Sequence, residues 1–253
     1  MSIDTQKGDD GVLVITLNEP DRRNPVGHAT RQNLLAVLAE AGADDSVRAV
    51  VLTGAGGHFS AGGDIRDQGE RSLAAHRARF AVISDLVSRM ARFPKPLVAA
   101  VEGWAAGGGF SLAMACPTVV ASRDARFVAS FTKIALMPDL GLLSTLPARV
   151  GPARARRLIL TNRVVGAPEA HELGIVDELA DVGGALDTAV ALVLEEAEGP
   201  AMARQFIVDW FARDLSPALE YEQAVQPMLI NSADAAEGRA AFAEKRPPQF
   251  RGC

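Results

Sequence analysis

Apolar residues along this chain follow two rhythms. Continuous runs fill 12–17 (VLVITL), 47–53 (VRAVVLT), 97–101 (LVAAV) and 118–122 (TVVAS). Such runs, bounded by turn residues, predict strands buried on both faces, because a covered sheet shows no polar side. Residues 126–131 predict one more short strand. Elsewhere the apolar positions step by three, four or seven, which places them on one face of a helix. Leu34, Leu35 and Leu38 do so within 28–43, and Leu73, Phe80, Ile83, Val87 and Met90 within 73–90. Phe93-Pro94-Lys95-Pro96 closes the second helix, since proline lacks the amide donor and clashes with the preceding turn. A shorter helix, 168–173, opens at Pro168 and stops at Gly174.

Past Gly183 only the helical rhythm remains, over 185–198, 202–213, 217–228 and 235–242. Strands alternating with helices, then helices alone, predict an α/β fold with a core over 1–200 and a helical region over 201–253. A strand-strand-helix rhythm recurs loosely, without a repeat of fixed length. The helical region carries Phe206, Trp210, Phe211 and Leu215 but no strands, so a neighbouring subunit is expected to cover it.

Composition then excludes several classes. With 253 residues, 48% of them hydrophobic, the chain can build one substantial core. Its formal net charge of -5, with the signs interspersed, argues against nucleic acid as a partner. Cys116 and Cys253 do not make a disulfide framework, so a reducing cytoplasm is the expected location. The N-terminal MSIDTQKGDDG has no signal-peptide pattern, and no apolar run reaches the roughly 20 residues that span a bilayer.

Two glycine loops carry the candidate chemistry. Ala61-Gly62-Gly63-Asp64 is expected to leave one buried strand, and Gly107-Gly108-Gly109 another, with the triplet opening a helix. Glycine permits close backbone approach and unusual dihedral angles. The first amides of a helix have no intrahelical partner and point outward, with the helix dipole behind them. Two such amides converging on one oxygen form an oxyanion hole; loops read singly would be tight turns.

Rival motifs fail on spelling. Gly54-Ala55-Gly56-Gly57-His58-Phe59 ends in phenylalanine where a dinucleotide fingerprint needs glycine or alanine, and no glycine-lysine pair exists for a phosphate loop. His171-Glu172 leads to Ile175 where a zinc site needs histidine, so no metal is expected. Gly109-Phe110-Ser111-Leu112-Ala113 lacks the last glycine of a serine nucleophile elbow, although Asp139 and His171 follow in hydrolase order. A serine hydrolase or thioesterase using Ser111 therefore stands as a remote alternative.

HFSAGGDI, then PKPLVAAVEGWAAGGGFSLAMAC, then ARFVASFTKIALMPDLGLLSTLPARVG, and the tail SADAAEGRAAFAEKRPPQF resemble the crotonase superfamily of enoyl-CoA hydratases and isomerases. The likeness holds in order and spacing over essentially the whole chain. It implies a spiral of strand-strand-helix turns with a C-terminal helical region that builds a homotrimer or homohexamer. It implies an acyl-CoA thioester substrate, with coenzyme A part of that substrate and no separate cofactor. The amides of Gly63 and Gly108 would bind the thioester oxygen. Ala61, Asp64 and Ile65 would lie along the CoA, Arg22 and Arg23 near its phosphates, and Phe242 and Lys245 would reach the CoA of a neighbouring subunit.

The chain departs from the hydratases where their chemistry lies. Ser111 and Phe131 occupy the two positions at which hydratases carry glutamate. Met137-Pro138-Asp139-Leu140-Gly141 instead resembles the acid-bearing loop of enoyl-CoA isomerases and of the ring-epoxide isomerases of phenylacetate breakdown. One carboxylate can take a proton beside a thioester and return it two carbons away, whereas adding water normally asks for a second group. An isomerase using Asp139 is therefore expected over a hydratase of the same superfamily.

Overall fold

A computed structural model describes residues 2–67, 69 and 72–252; Cys253 lies outside the described residues. The main sheet has six strands: β1 (Ile3–Lys7), β2 (Val12–Leu17), β3 (Ala49–Gly54), β4 (Leu97–Val101), β6 (Thr118–Ser122) and β9 (Glu178–Ala180), in the order β1-β2-β3-β4-β6-β9. All neighbours are parallel except β1 and β2, whose antiparallel register pairs Ile3 with Leu17. A second sheet holds β5 (Trp104–Ala106), β7 (Arg126–Val128) and β8 (Val165–Gly166), in the order β5-β7-β8.

The expected two-sided burial is clearest in β3 and β4. Val50, Leu52, Leu97, Ala99 and Val101 point into the main core, while Ala49, Val51, Val98 and Ala100 face the other way. That second face is covered by α7 (Ala185–Ala197) through Ala185, Ala189 and Val193, spaced by four as one helical stripe requires. The main core is closed by α1 (His28–Ala43) and α2 (Leu73–Ala91), the latter capped by Ser72 Oγ, which accepts from the Ala75 amide at 3.2 Å.

α3 (Gly108–Ala115) is buried along its whole length and leads through β6 and β7 into α4 (Leu142–Val150), α5 (Pro152–Thr161) and α6 (Ala167–Glu172). The chain ends in α8 (Ala201–Phe211), α9 (Ser216–Ile230) and α10 (Ala233–Ala243).

Three local expectations need correction. β7 stops at Val128, and the expected continuation to 131 is instead a 3-10 turn at Ser130–Ile134. Gly62-Gly63 does not leave a strand directly: β3 ends at Gly54, and only a single bridge between Ser60 and Ala105 precedes the loop. The helical region is not all outward-facing either. Leu215, Leu219, Ile230 and Ala235 join the main core of their own chain, while α8 buries none of its residues.

Backbone approach fixes how the two glycine loops meet. A methyl group built on Gly109 would stand 2.6 Å from both the Cβ and the carbonyl oxygen of Ser60, well inside contact distance. Gly109→Ala is expected to lower stability by about 1–3 kcal/mol, the range for overpacking a filled site. Equilibrium denaturation of the variant beside the wild type measures this, and an unchanged midpoint would show the segments free to separate.

Candidate active site

The first loop is held against β5. The Ser60 amide donates to Trp104 O at 2.9 Å, and Ser60 O accepts from the Ala106 amide at 2.9 Å. Ser60 Oγ donates to Asn24 O at 2.7 Å and accepts from the Gly62 amide at 3.1 Å. Gly62 O accepts from Val26 N at 2.8 Å. Gly107 turns the chain at φ 50, ψ -122, a conformation that favours glycine, so that α3 starts beside Gly63. A methyl built on Gly108 would lie 3.4 Å from the Gly63 amide nitrogen. Among the described residues neither the Gly63 nor the Gly108 amide donates to another backbone group outside its own helix.

Both glycines line one cleft of about 630 Å³, counting the solvent at its mouth. Phe131, Leu136, Phe242, Arg31 and Asp139 share the wall. Among the described residues, Asp139 is the one carboxylate that lines it.

Asp139 sits on a strained loop braced from behind. Leu140, next to it, is fully buried with φ 55, in the left-handed region where a bulky side chain costs about 1–3 kcal/mol. Two buried side chains of α9 hold this geometry. Gln226 Nε2 donates to Met137 O at 2.8 Å, and its Oε1 accepts from Met137 N at 3.3 Å. Glu222 accepts from the Gly141 amide through both oxygens, at 3.1 and 3.2 Å.

Burial pushes the Asp139 carboxyl above the ordinary carboxylate range, and the Arg31 guanidinium, with Nη2 4.0 Å from Oδ2, pulls it partly back. Asp139 Oδ1 has no protein hydrogen-bond partner. Glu222 is pushed up to about 8, first by burial and then by the Asp139 charge, with the Gly141 amide opposing. The site therefore sets one carboxylate in the wall of the cleft that the two glycines also line, with a second buried carboxyl, Glu222, bonded to the Gly141 amide of the same loop.

The sequence-predicted residues separate into two groups. Gly63, Gly108, Asp139, Ala61, Ile65 and Phe242 line the cleft, Phe242 in the wall of its own chain. Arg22, Arg23, Asp64 and Lys245 do not line it. Arg22 is bound to Asp64 at 2.7 Å and Glu19 at 2.8 Å, and Asp64 also accepts from the Arg66 amide at 3.1 Å. Arg23 takes a left-handed turn at φ 55 and uses its carbonyl to hold the Ala61 amide at 2.7 Å. Ser111 is completely buried, its Oγ donating to Gly107 O at 3.3 Å, and His171 Nδ1 lies 3.2 Å from Val176 O. Neither lines the cleft, so the hydrolase constellation is not assembled.

The chain matches the sequence profile of the family described as Enoyl-CoA hydratase/isomerase over residues 7–253. This chain belongs to the enoyl-CoA hydratase/isomerase family. A protein of Escherichia coli (strain K12) named 1,2-epoxyphenylacetyl-CoA isomerase is 37% identical to it, over 96% of this chain and 95% of the relative. A Rhodobacter capsulatus protein named probable enoyl-CoA hydratase is 38% identical, with the same coverage of 96% and 95%. The crystal structure of an enoyl-CoA hydratase from Mycobacterium avium subsp. paratuberculosis superposes with a TM-score of 0.89, at 32% identity and 99% coverage of each chain. The fold is thus that of the crotonase family, and the chain is an enzyme of this superfamily. No helix among the described residues is long and apolar enough to cross a membrane.

Sequence reasoning missed Arg31, Glu222 and Gln226. Arg31 had a signal: it precedes Leu34 by three and Leu38 by seven, on the stripe that faces the core. A charge on that stripe is unusual enough to mark a partner or a ligand. Glu222 and Gln226 share one face of α9, four apart, but nothing in their spacing names the distant loop they hold.

A carboxyl with a higher pKa folded than unfolded favours the folded state below its unfolded value and loses that contribution as pH rises to the folded value. For Glu222 the window runs from the ordinary 4.5 to about 8. Glu222→Gln keeps an acceptor for the Gly141 amide and cannot ionise, so its melting temperature should gain on the wild type's as pH rises through that window. Thermal melts at stepped pH measure the difference, and parallel curves would show that Glu222 does not hold a proton there.

Proposed function

We propose that this enzyme is an enoyl-CoA isomerase in which Asp139 moves the proton. The observation that carries the reading is the single carboxylate in the cleft wall, together with Gly63 and Gly108, while Ser111 and Phe131 stand at the two hydratase acid positions. The thioester oxygen of a 3-enoyl-CoA accepts hydrogen bonds from the Gly63 and Gly108 amides. Asp139 removes a proton from the carbon beside the carbonyl, and the electron pair spreads over the thioester as a dienolate. The protonated Asp139 then delivers the same proton two carbons further on, and the double bond shifts into conjugation. No water is consumed.

Each part has a physical reason. An oxyanion donor contributes roughly 3 kcal/mol to the transition state, because the charge it meets develops only there. Burial among Leu136, Leu140 and Leu142 brings Asp139 nearer the operating pH, where one group can accept and return a proton. The Arg31 guanidinium favours the charged form of the base and so opposes the effect of burial.

Coenzyme A would run past Ala61 and Ile65, with exposed Lys133 as the cation at the cleft and Phe242 closing over it. Arg22 and Asp64 lie outside that lining, tied into a chain of ion pairs with Glu19 and Arg66.

Asp139→Asn is expected to cut isomerisation of 3-enoyl-CoA by about a hundredfold or more, the scale of general acid–base catalysis, while acyl-CoA still binds. Assaying 2-enoyl-CoA and 3-enoyl-CoA substrates for hydration and isomerisation tests the reading. A full-rate Asp139→Asn variant, or hydration that outpaces isomerisation, would overturn it.

Residues 201–253 are proposed to build a homotrimer or a pair of trimers. Met202, Phe206, Trp210 and Phe211 on α8 are all more than half exposed, a contiguous apolar face unusual for a monomer. Light scattering at micromolar concentration should give three or six chain masses, and introducing aspartate at Phe206 and Phe211 should lower the mass. A monomeric wild type contradicts the assignment.

A further inference from the structure

Arg31 has a guanidinium more than nine-tenths buried, yet it makes no hydrogen bond to a protein acceptor among the described residues. The nearest anion, Asp139 Oδ2, stands 4.0 Å away, beyond hydrogen-bond reach. Arg31 Nε is buried without a partner. The neighbouring charges on that side of α1 are engaged elsewhere: Asp67 takes Arg79 at 2.6 Å and the His28 amide at 2.9 Å. A guanidinium has five donors and stays charged in proteins, and a buried ion without hydrogen bonds is strongly unfavourable. It is found here on the wall of the cleft that also holds Asp139 and the paired glycine amides.

We infer that Arg31 forms a subsite for an oxygen acceptor carried on the acyl group, so that the substrates are oxygenated acyl-CoA thioesters rather than plain alkenoyl ones. This rests on the acyl-CoA reading of the cleft. The acceptor is a neutral oxygen: a hydroxyl, a ketone or a cyclic ether. A carboxylate would face Asp139 across the same low-dielectric space, and two anions there repel. A neutral oxygen accepts from Arg31 without that opposition. The placement also serves the chemistry, since an acyl group tethered at both the thioester and a distal oxygen has fewer orientations in front of Asp139.

Saturated thioesters test the subsite without turnover, so the result is independent of whether isomerisation is the reaction. Isothermal titration of the full chain would compare hexanoyl-CoA, hydroxyhexanoyl-CoA esters with the hydroxyl stepped along the distal carbons, and adipoyl-CoA. At least one hydroxylated ester should bind about tenfold or more tighter than hexanoyl-CoA, the scale of a hydrogen bond to a charged group. In Arg31→Met that difference should collapse. Equal affinities across the wild-type series would overturn the subsite, and that arm needs no variant to fold. A preference that survives Arg31→Met would assign the recognition to another residue. Tightest binding by adipoyl-CoA would overturn the choice of a neutral acceptor. If none of the thioesters binds, the acyl-CoA reading itself fails.

Discussion

The contact on which the site depends is the close docking of the Ser60–Gly63 segment against the start of α3. It has no room for a side chain at Gly109, and the Ser60 backbone is bonded on both sides to β5. Once those strands and loops are locked, Gly63 and Gly108 are held side by side in the wall of one cleft. An oxyanion site works when its donors are aimed before charge develops, and in the proposed site that aiming would come from backbone packing. The sheet contributes indirectly, since β4 feeds β5 and the glycine turn from a fully buried position.

The carboxylate in the cleft wall is held on the opposite principle. Asp139 comes from a loop whose next residue is in an unfavourable backbone region, and that loop keeps its shape through side chains sent from α9. Strain of this kind persists only where the surroundings over-determine it. The Glu222 carboxyl sits close enough to feel the Asp139 charge. The electrostatics of Asp139 are therefore shaped from two sides, by a cation on α1 and by a buried carboxyl on α9.

Much of this was legible in the chain before its fold was seen. Buried strands announced themselves as unbroken apolar runs, as with Leu97–Val101, and the longer helices by their stripes. The two glycine loops and Asp139 could be named from motif order. β1 was not visible, because its IDTQK alternates little and only Ile3 is buried. α4 and α5 also escaped, the first with Pro147 inside it and the second studded with arginine. The ion pair between α1 and the acid loop joins residues more than a hundred positions apart, and no local pattern encodes such a meeting. Arg22 shows the reverse difficulty: its position suggested a ligand contact, yet a nearby carboxylate claims it.

The span of the Glu222–Gly141 contact, 81 residues along the chain, has a consequence for synthesis. A nascent chain that has emerged only as far as α7 already contains both glycine loops, the complete main sheet and the aspartate. It lacks the two α9 side chains that hold Met137 and Gly141 on either side of the Leu140 left-handed turn. The loop that carries Asp139 thus takes its hydrogen bonds from a segment synthesised long after it, and its bracing waits on the C-terminal helices.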